Sequence, residues 1–262
     1  LIGTGSTSRG TNVPDDSDFD YMLKVDKKVV QTGMDELISS LKNIKHDEDN
    51  SHDNRVKLVG VTIDGLDIKI DTDISIAQKQ NDITYSTEMA LEERLETIRK
   101  QSQSAYEKVI ANIVYAKQFL KEIGTYKHAR VDKTSGGLGG VGVENWILQN
   151  GGSFRQACET FMDKAIDHET GQIVPFEKFR KTYTIWDFGE NHESKGQHPF
   201  DEYVSLNMNE AGYNKLVKEL PKKLKEINEG LSRNRTIEST APIIEEEIIE
   251  EEPLEASVGF GR

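Results

Sequence analysis

Residues 3–25 read GTGSTSRGTNVPDDSDFDYMLKV, and this stretch decides the fold. A short apolar start leads into Gly5-Ser6, a turn of small residues whose backbone N–H groups and hydroxyl suit a phosphate. Eleven residues separate Ser6 from Asp18, and from there Asp18, Phe19, Asp20 and Tyr21 alternate acid with ring. That alternation predicts a strand with both carboxylates on one face and both rings on the other. Two like charges so placed repel unless a cation sits between them. Mg²⁺ takes carboxylate oxygens together with the phosphate oxygens of a substrate, which is what this pair offers. Arg9 is near enough in sequence to add a guanidinium fork. No Gly-Lys-Ser/Thr follows the glycines, so the stretch is not a P-loop.

Outward from it, strand-like alternation returns over 55–63 and 66–76, which flank Asp64-Gly65, a tight-hairpin signal. Residues 31–44 carry a helical spacing of Met34, Leu37, Ile38 and Leu41. The polar run 45–55, with His46 and His52, reads as a solvated loop and not as a metal site. Over 88–125, Met89, Leu91, Leu95 and Ile98, then Val109, Ile113, Phe119 and Leu120, recur at helical spacing. A Gly-rich stretch, 135–142, precedes helical or mixed segments at 154–167 and 212–228. The order is α+β first and helical second, with no internal repeat. The expected organisation is a first domain over 1–100, a helical lobe over 101–236 and an acidic tail over 237–262.

The chain has 262 residues, enough for one large domain or two small ones. A hydrophobic share of 35% and a charged share of 30% suit a soluble globular protein. No run approaches the ~18 to 20 apolar residues of a membrane-spanning helix, so an integral helical membrane protein is excluded. One cysteine, Cys158, rules out a disulfide framework and a Cys-based zinc site, and points to a reducing, cytoplasmic compartment. With leucine first and no signal peptide ahead of it, the chain reads as a processed or trimmed fragment of a longer product. The net charge of −13 is uneven: residues 237–262 hold eight Glu and one Arg, leaving 32 basic and 38 acidic residues, or −6, over 1–236. Broad phosphate neutralisation needs a basic excess, so any grip on nucleic acid must come from a local patch. The Glu-rich tail reads as a solvated or partner-docking segment, with a short amphipathic helix built on its Ile pairs as the alternative.

GSTSRGTNVPDDSDFD resembles the signature of the DNA polymerase β-like nucleotidyltransferase superfamily: a Gly-Ser turn, a gap of about a dozen residues, then Asp-x-Asp. The resemblance implies a mixed sheet with helices packed on it, followed by a mainly helical lobe, with a nucleoside triphosphate in the cleft between them. It also implies a third carboxylate from a neighbouring strand. Asp67, Asp71 and Asp73 share one parity there; Asp73, followed by Ile-Ser-Ile-Ala, is the better match and Asp71 the alternate. A second stretch, AKQFLKEIGTYKHARVDKTSGGLGGVGVENWILQNGGSF, is similar to the archaeal-type (class I) CCA-adding enzymes. In those a helix lysine, and a tyrosine nine residues later, hold the incoming triphosphate; Lys117 and Tyr126 keep that spacing. The following Gly-rich element lacks the family's aromatic and serine. Read structurally, Lys117 is an exposed helix lysine and Tyr126 a core-edge aromatic. The segment 198–213 resembles a further element of the same enzymes, with His198 at the place of an aspartate; His198 and His192 read as structural or surface residues.

The resemblance implies metal-dependent transfer of a nucleoside monophosphate from an NTP, with ATP the first choice, to an acceptor hydroxyl. Asp18 and Asp20 would bridge two Mg²⁺ ions, with Asp73 or Asp71 on the acceptor side, and Gly5, Ser6, Arg9, Lys117 and Tyr126 would bind the nucleotide. An RNA 3′-end is the expected acceptor. Synthesis of an oligonucleotide or cyclic-nucleotide messenger, as in the oligoadenylate and cyclic-dinucleotide synthases, is the alternative. A silent nucleotide-binding scaffold module is a third reading, and the retained pair Asp18 and Asp20 argues against it.

Overall fold

Strand-forming alternation near the N-terminus and long helical periodicity after residue 83 give two kinds of layer. In a computed structural model, the described residues are 2–13, 19–25, 35–36, 39–40, 46–52, 55–62, 69–78, 83–126, 136–186, 188 and 208–237. Leu1–Leu224 form one compact unit and Lys225–Arg262 a second. The strands are β1 (Ile2–Thr4), β2 (Phe19–Val25), β3 (His46–His52), β4 (Arg55–Thr62) and β5 (Lys69–Gln78). They form one five-stranded sheet in the order β1-β2-β5-β4-β3. β2 and β5 run parallel and the other neighbours antiparallel, so the sheet is mixed.

The adjacent strands β2 and β5 carry the candidate carboxylates Asp20, Asp71 and Asp73. Asp20 pairs in register with Thr4 on one side and with Asp73 on the other. Met22, Val56 and Leu58 are buried, which fixes the faces of β2 and β4, because a slip of one residue would turn every side chain over. The polar run 45–55, expected as a loop, contains β3, paired with β4 at His46–Leu58 and His52–Arg55. Its charge does not forbid pairing: β3 lies at the edge of the sheet, where polar and charged residues are the usual way of blunting a free edge. The Asp64-Gly65 turn, most of the expected helix at 31–44, and the residues His192 and His198 lie outside the described residues, as does 238–262 in the acidic tail.

The helices are α1 (Gly5–Arg9), α2 (Ile83–Gln101), α3 (Gln103–Glu122), α4 (Gly140–Gln149), α5 (Phe154–Ala165), α6 (Phe176–Thr182) and α7 (Glu210–Ile237). The break between α2 and α3 is Ser102, which sits in extended backbone and accepts the Ala105 N–H on its hydroxyl at 3.2 Å. Ser153 caps α5 in the same way, on Gln156. The helical part closes over an aromatic core. Phe161 and Phe179 lie 4.8 Å apart by ring centroid, and Phe179 and Tyr213 4.6 Å. The polar ends in that core are used: the Trp146 indole donates to the Tyr183 hydroxyl and the Tyr213 hydroxyl to the Val174 carbonyl.

The Gly-rich stretch is a backbone crossing. Gly136, Gly137, Leu138 and Gly139 are buried. A Cβ on Gly137 would meet the Thr125 carbonyl oxygen at 2.2 Å, and one on Gly212 the Gly136 carbonyl oxygen at 2.0 Å. Glycine is required there because three backbones pass too close for a side chain. Leu138 N–H donates to Thr125 O and Asn209 N–H to Gly136 O, which locks the crossing.

Candidate functional site

The turn after β1 is built by a glycine. Gly5 has φ 70°, left-handed backbone that favours glycine, and a Cβ there would come within 2.0 Å of Asp20 Oδ2. The Asp20 carboxylate therefore occupies the space that a side chain at position 5 would need. Ser6, half-buried in α1, has its carbonyl held by the Thr11 N–H at 2.9 Å. Gly10, with φ 69°, ends the helix. Asp20 is half-buried on β2. Asp73 lies directly across from it on β5, and Asp71 two residues earlier on the same strand. Asp18 lies outside the described residues. Among the described residues, no group of three or more His, Cys, Asp or Glu is placed to hold a metal ion.

The remaining expected nucleotide ligands are brought together, but on other partners than a phosphate-binding role demands. Arg9 is 6% exposed. Its Nε and Nη2 donate to Glu144 at 2.9 and 2.8 Å, and its Nη1 pairs with Glu88. The Gly5 N–H, expected to face a phosphate, donates to Glu88 Oε2 at 2.8 Å. Lys117, at 0% exposure, is the opposite of an exposed helix lysine. Its ammonium donates to Glu144 Oε1 at 2.7 Å and to Thr11 O at 2.9 Å, with Thr11 Oγ1 at 3.3 Å. The Thr11 hydroxyl donates to Glu144 at 2.5 Å. The reason is burial: a guanidinium and an ammonium removed from water need carboxylates and carbonyls around them. The two cations and the Gly5 amide are thus directed into the protein.

Tyr126 follows the end of α3 and is half-buried. A Cβ on Gly140 would lie 3.0 Å from its hydroxyl, while Lys121 Nζ lies 5.2 Å from its ring centroid. Gly140 and Glu144 are one turn apart on α4, so Tyr126 and Lys117 approach neighbouring turns of the same helix, roughly 6 Å apart along its axis.

Charge in this cluster is balanced, two cations against two carboxylates. Burial by itself would raise the Glu144 carboxyl; Arg9, Lys117 and the hydrogen bonds from Lys117 and Thr11 outweigh it and hold the group down to about 2. Burial pulls the Arg9 guanidinium down, but Glu144 and Glu88 more than offset it and raise it above its ordinary value. For Lys117 burial dominates, and the ammonium is lowered despite Glu144. Glu88 and Glu144 are the site residues that sequence reasoning missed. Glu88 opens a helical pattern and Glu144 lies between Val143 and Asn145, and a lone glutamate in a helix has no local mark of a buried charge partner.

No protein-family model matches the chain, and no curated protein matches it in sequence. The chain is similar to several solved structures. A crystal structure of Cid1 poly(U) polymerase with MgGTP bound gives a TM-score of 0.50 at 14% identity, over 87% of this chain and 81% of that one. CdnC of E. coli MS115-1 in complex with HORMA-deltaN gives 0.47 at 11% identity, over 92% of this chain and 77% of that one. CdnC with ATP gives 0.43 at 11%, over 92% and 78%. The likeness to Cid1 is one of fold, and the expected α+β arrangement of sheet and helical lobe is the one found. Among the described residues, no helix is long and apolar enough to cross a membrane.

Proposed function

We propose that this chain is a metal-dependent, template-independent nucleotidyltransferase that moves a nucleoside monophosphate from an NTP, ATP first, to an acceptor hydroxyl. The observation that carries the reading is Asp20, set against the Gly5–Ser6 turn on one side and in register with Asp73 on the neighbouring parallel strand. The reading keeps a catalytic domain over 1–100, a helical lobe over 101–236 and an acidic tail that docks a protein partner.

Carboxylate oxygens suit a hard divalent cation such as Mg²⁺. Asp20 and Asp73, with Asp18 and with Asp71 as alternate, would hold two such ions. Bound there, they would supply charge neutralisation and a more acidic acceptor hydroxyl. The chain's own part is positioning. Ser6 offers a hydroxyl to the triphosphate from the turn, and Tyr126 is the candidate contact from the helical side. Arg9 and Lys117 act from behind, through Glu88 and Glu144. Transfer of this kind depends on alignment and charge more than on covalent work by the protein.

For the acceptor, an RNA 3′-end in the manner of the CCA-adding enzymes is the first reading. Synthesis of an oligonucleotide or cyclic-nucleotide messenger is the second, and it is favoured by charge: residues 1–236 carry −6, whereas an RNA grip gains from a basic excess. Incubation with labelled ATP, CTP, GTP and UTP in Mg²⁺, with and without tRNA, separates them. Labelled tRNA supports the first, and small nucleotide products the second. No product under any condition overturns the enzyme reading in favour of a silent scaffold.

A further inference from the structure

Arg9, Glu88, Lys117 and Glu144 come from four different helices, α1, α2, α3 and α4, and meet in the interior. Apolar contacts can join four helices without removing four charges from water. What ionic hydrogen bonds add is direction. Here the direction falls on one short segment, Gly5 to Thr11. Glu88 takes the Gly5 N–H. Arg9 is fixed between Glu88 and Glu144. Glu144 accepts from the Thr11 hydroxyl, and the Lys117 ammonium donates to the Thr11 carbonyl. The Thr11 N–H then holds the Ser6 carbonyl. One end of the turn is tied to Glu88 through the Gly5 amide and the other to Glu144 through the Thr11 hydroxyl, Arg9 bridges the two carboxylates, and the Asp20 carboxylate rests against the start of the turn.

We infer that Glu88 and Glu144 are positioning residues for the nucleotide site, setting the Gly5–Ser6 turn at the separation from Asp20 that transfer requires without touching the nucleotide themselves. This inference rests on the nucleotidyltransferase reading. The two carboxylates differ in how they act. Glu88 holds the turn directly through the Gly5 amide, and Glu144 holds it at second hand through Arg9 and Thr11. Loosening either one moves the turn against Asp20, which costs alignment at the reacting phosphorus more than it costs ground-state binding. A cluster that merely stiffens the fold predicts something else: melting temperature and active fraction fall, while kcat per folded molecule and KM stay put.

The test uses the full chain with Glu88→Gln, which keeps an oxygen for the Gly5 amide and removes the charge facing Arg9. Because Glu144→Gln alone leaves Lys117 without its counter-charge and can unfold the protein, it is paired with Lys117→Met. Three quantities are read well below each melting temperature: kcat and KM for MgATP, Tm, and hydrogen exchange of the 5–11 amides. Expected for Glu88→Gln are a kcat lower by about 10- to 100-fold, a KM within about threefold, and exchange over 5–11 faster by roughly tenfold with helices α5 and α6 unchanged. The double variant recovers Tm but not kcat. The inference is overturned if exchange over 5–11 is unchanged in both variants, or if kcat and Tm fall and recover together. A wild-type chain that yields no labelled product ends the nucleotidyltransferase reading instead, and exchange over 5–11 alone then decides whether the two glutamates hold the turn.

Discussion

The carboxylate of Asp20 fills the place where a side chain at position 5 would stand, with Oδ2 only 2.0 Å from the Cβ that Gly5 lacks. The Gly-Ser turn and the acidic strand, fifteen positions apart, are therefore one structure: the absence of a side chain on the first is what admits the carboxylate of the second.

Gly5→Ala is accordingly expected to be severe. Left-handed backbone costs an L-residue roughly 1 to 2 kcal/mol, and the new methyl also displaces Asp20. Nucleotidyl transfer should fall by at least an order of magnitude, with a lower Tm; a variant with wild-type turnover in the labelled-NTP assay contradicts the placement of Asp20.

Asp20→Ala removes the carboxylate and leaves the turn free. Turnover should be abolished while MgATP binding, followed by calorimetry, survives weakly. Tm should be kept, because Asp20 is half-buried and the cavity left is small. Near-normal turnover refutes the assignment of Asp20.

Lys117→Met distinguishes a phosphate ligand from a buried partner. A lysine that only held triphosphate would raise KM and leave Tm alone. Lys117 is bonded to Glu144 and Thr11 at 0% exposure, so its loss removes one of the two cations that hold the buried Glu144, Arg9 being the other. The expected cost is about 1.5 to 3 kcal/mol, read as a fall in urea midpoint without nucleotide present.

Acid should act on the same cluster. Glu144 is held at about 2 against an ordinary 4.5. A carboxyl lowered on folding contributes stability that is fully present above pH 4.5 and is lost as pH falls toward 2. Wild-type stability should therefore drop over that window by on the order of 3 kcal/mol more than that of the Lys117→Met/Glu144→Gln double variant. Equal slopes in urea titrations from pH 4.5 to 2 overturn the charge assignment.

Gly212→Ala addresses the backbone crossing. Its Cβ would meet the Gly136 carbonyl oxygen at 2.0 Å. A loss of about 1 to 3 kcal/mol is expected from overpacking, with KM for MgATP unchanged in the folded fraction. A rise in KM at unchanged Tm would instead give the Gly-rich stretch a direct part in nucleotide binding.

By itself the sequence determined the order of layers, the strands expected over 18–25, 55–63 and 66–76, and the helical character from residue 88 onward, while the joining of a Gly-Ser turn to an acidic strand was implied by the family resemblance. These are legible because periods of two and of 3.6 residues, and the backbone freedom of glycine, are local properties. Pattern failed at β3, where a polar run pairs at a sheet edge. Only the tertiary structure decided which partners Arg9 and Lys117 have. Both carry a charge that suits a phosphate, and in one dimension nothing distinguishes a cation facing a cleft from one facing an interior carboxylate. Glu88 and Glu144 make that choice from 79 and 27 residues away along the chain, and the physical reason is desolvation: a buried cation is held by whichever anion the fold brings beside it.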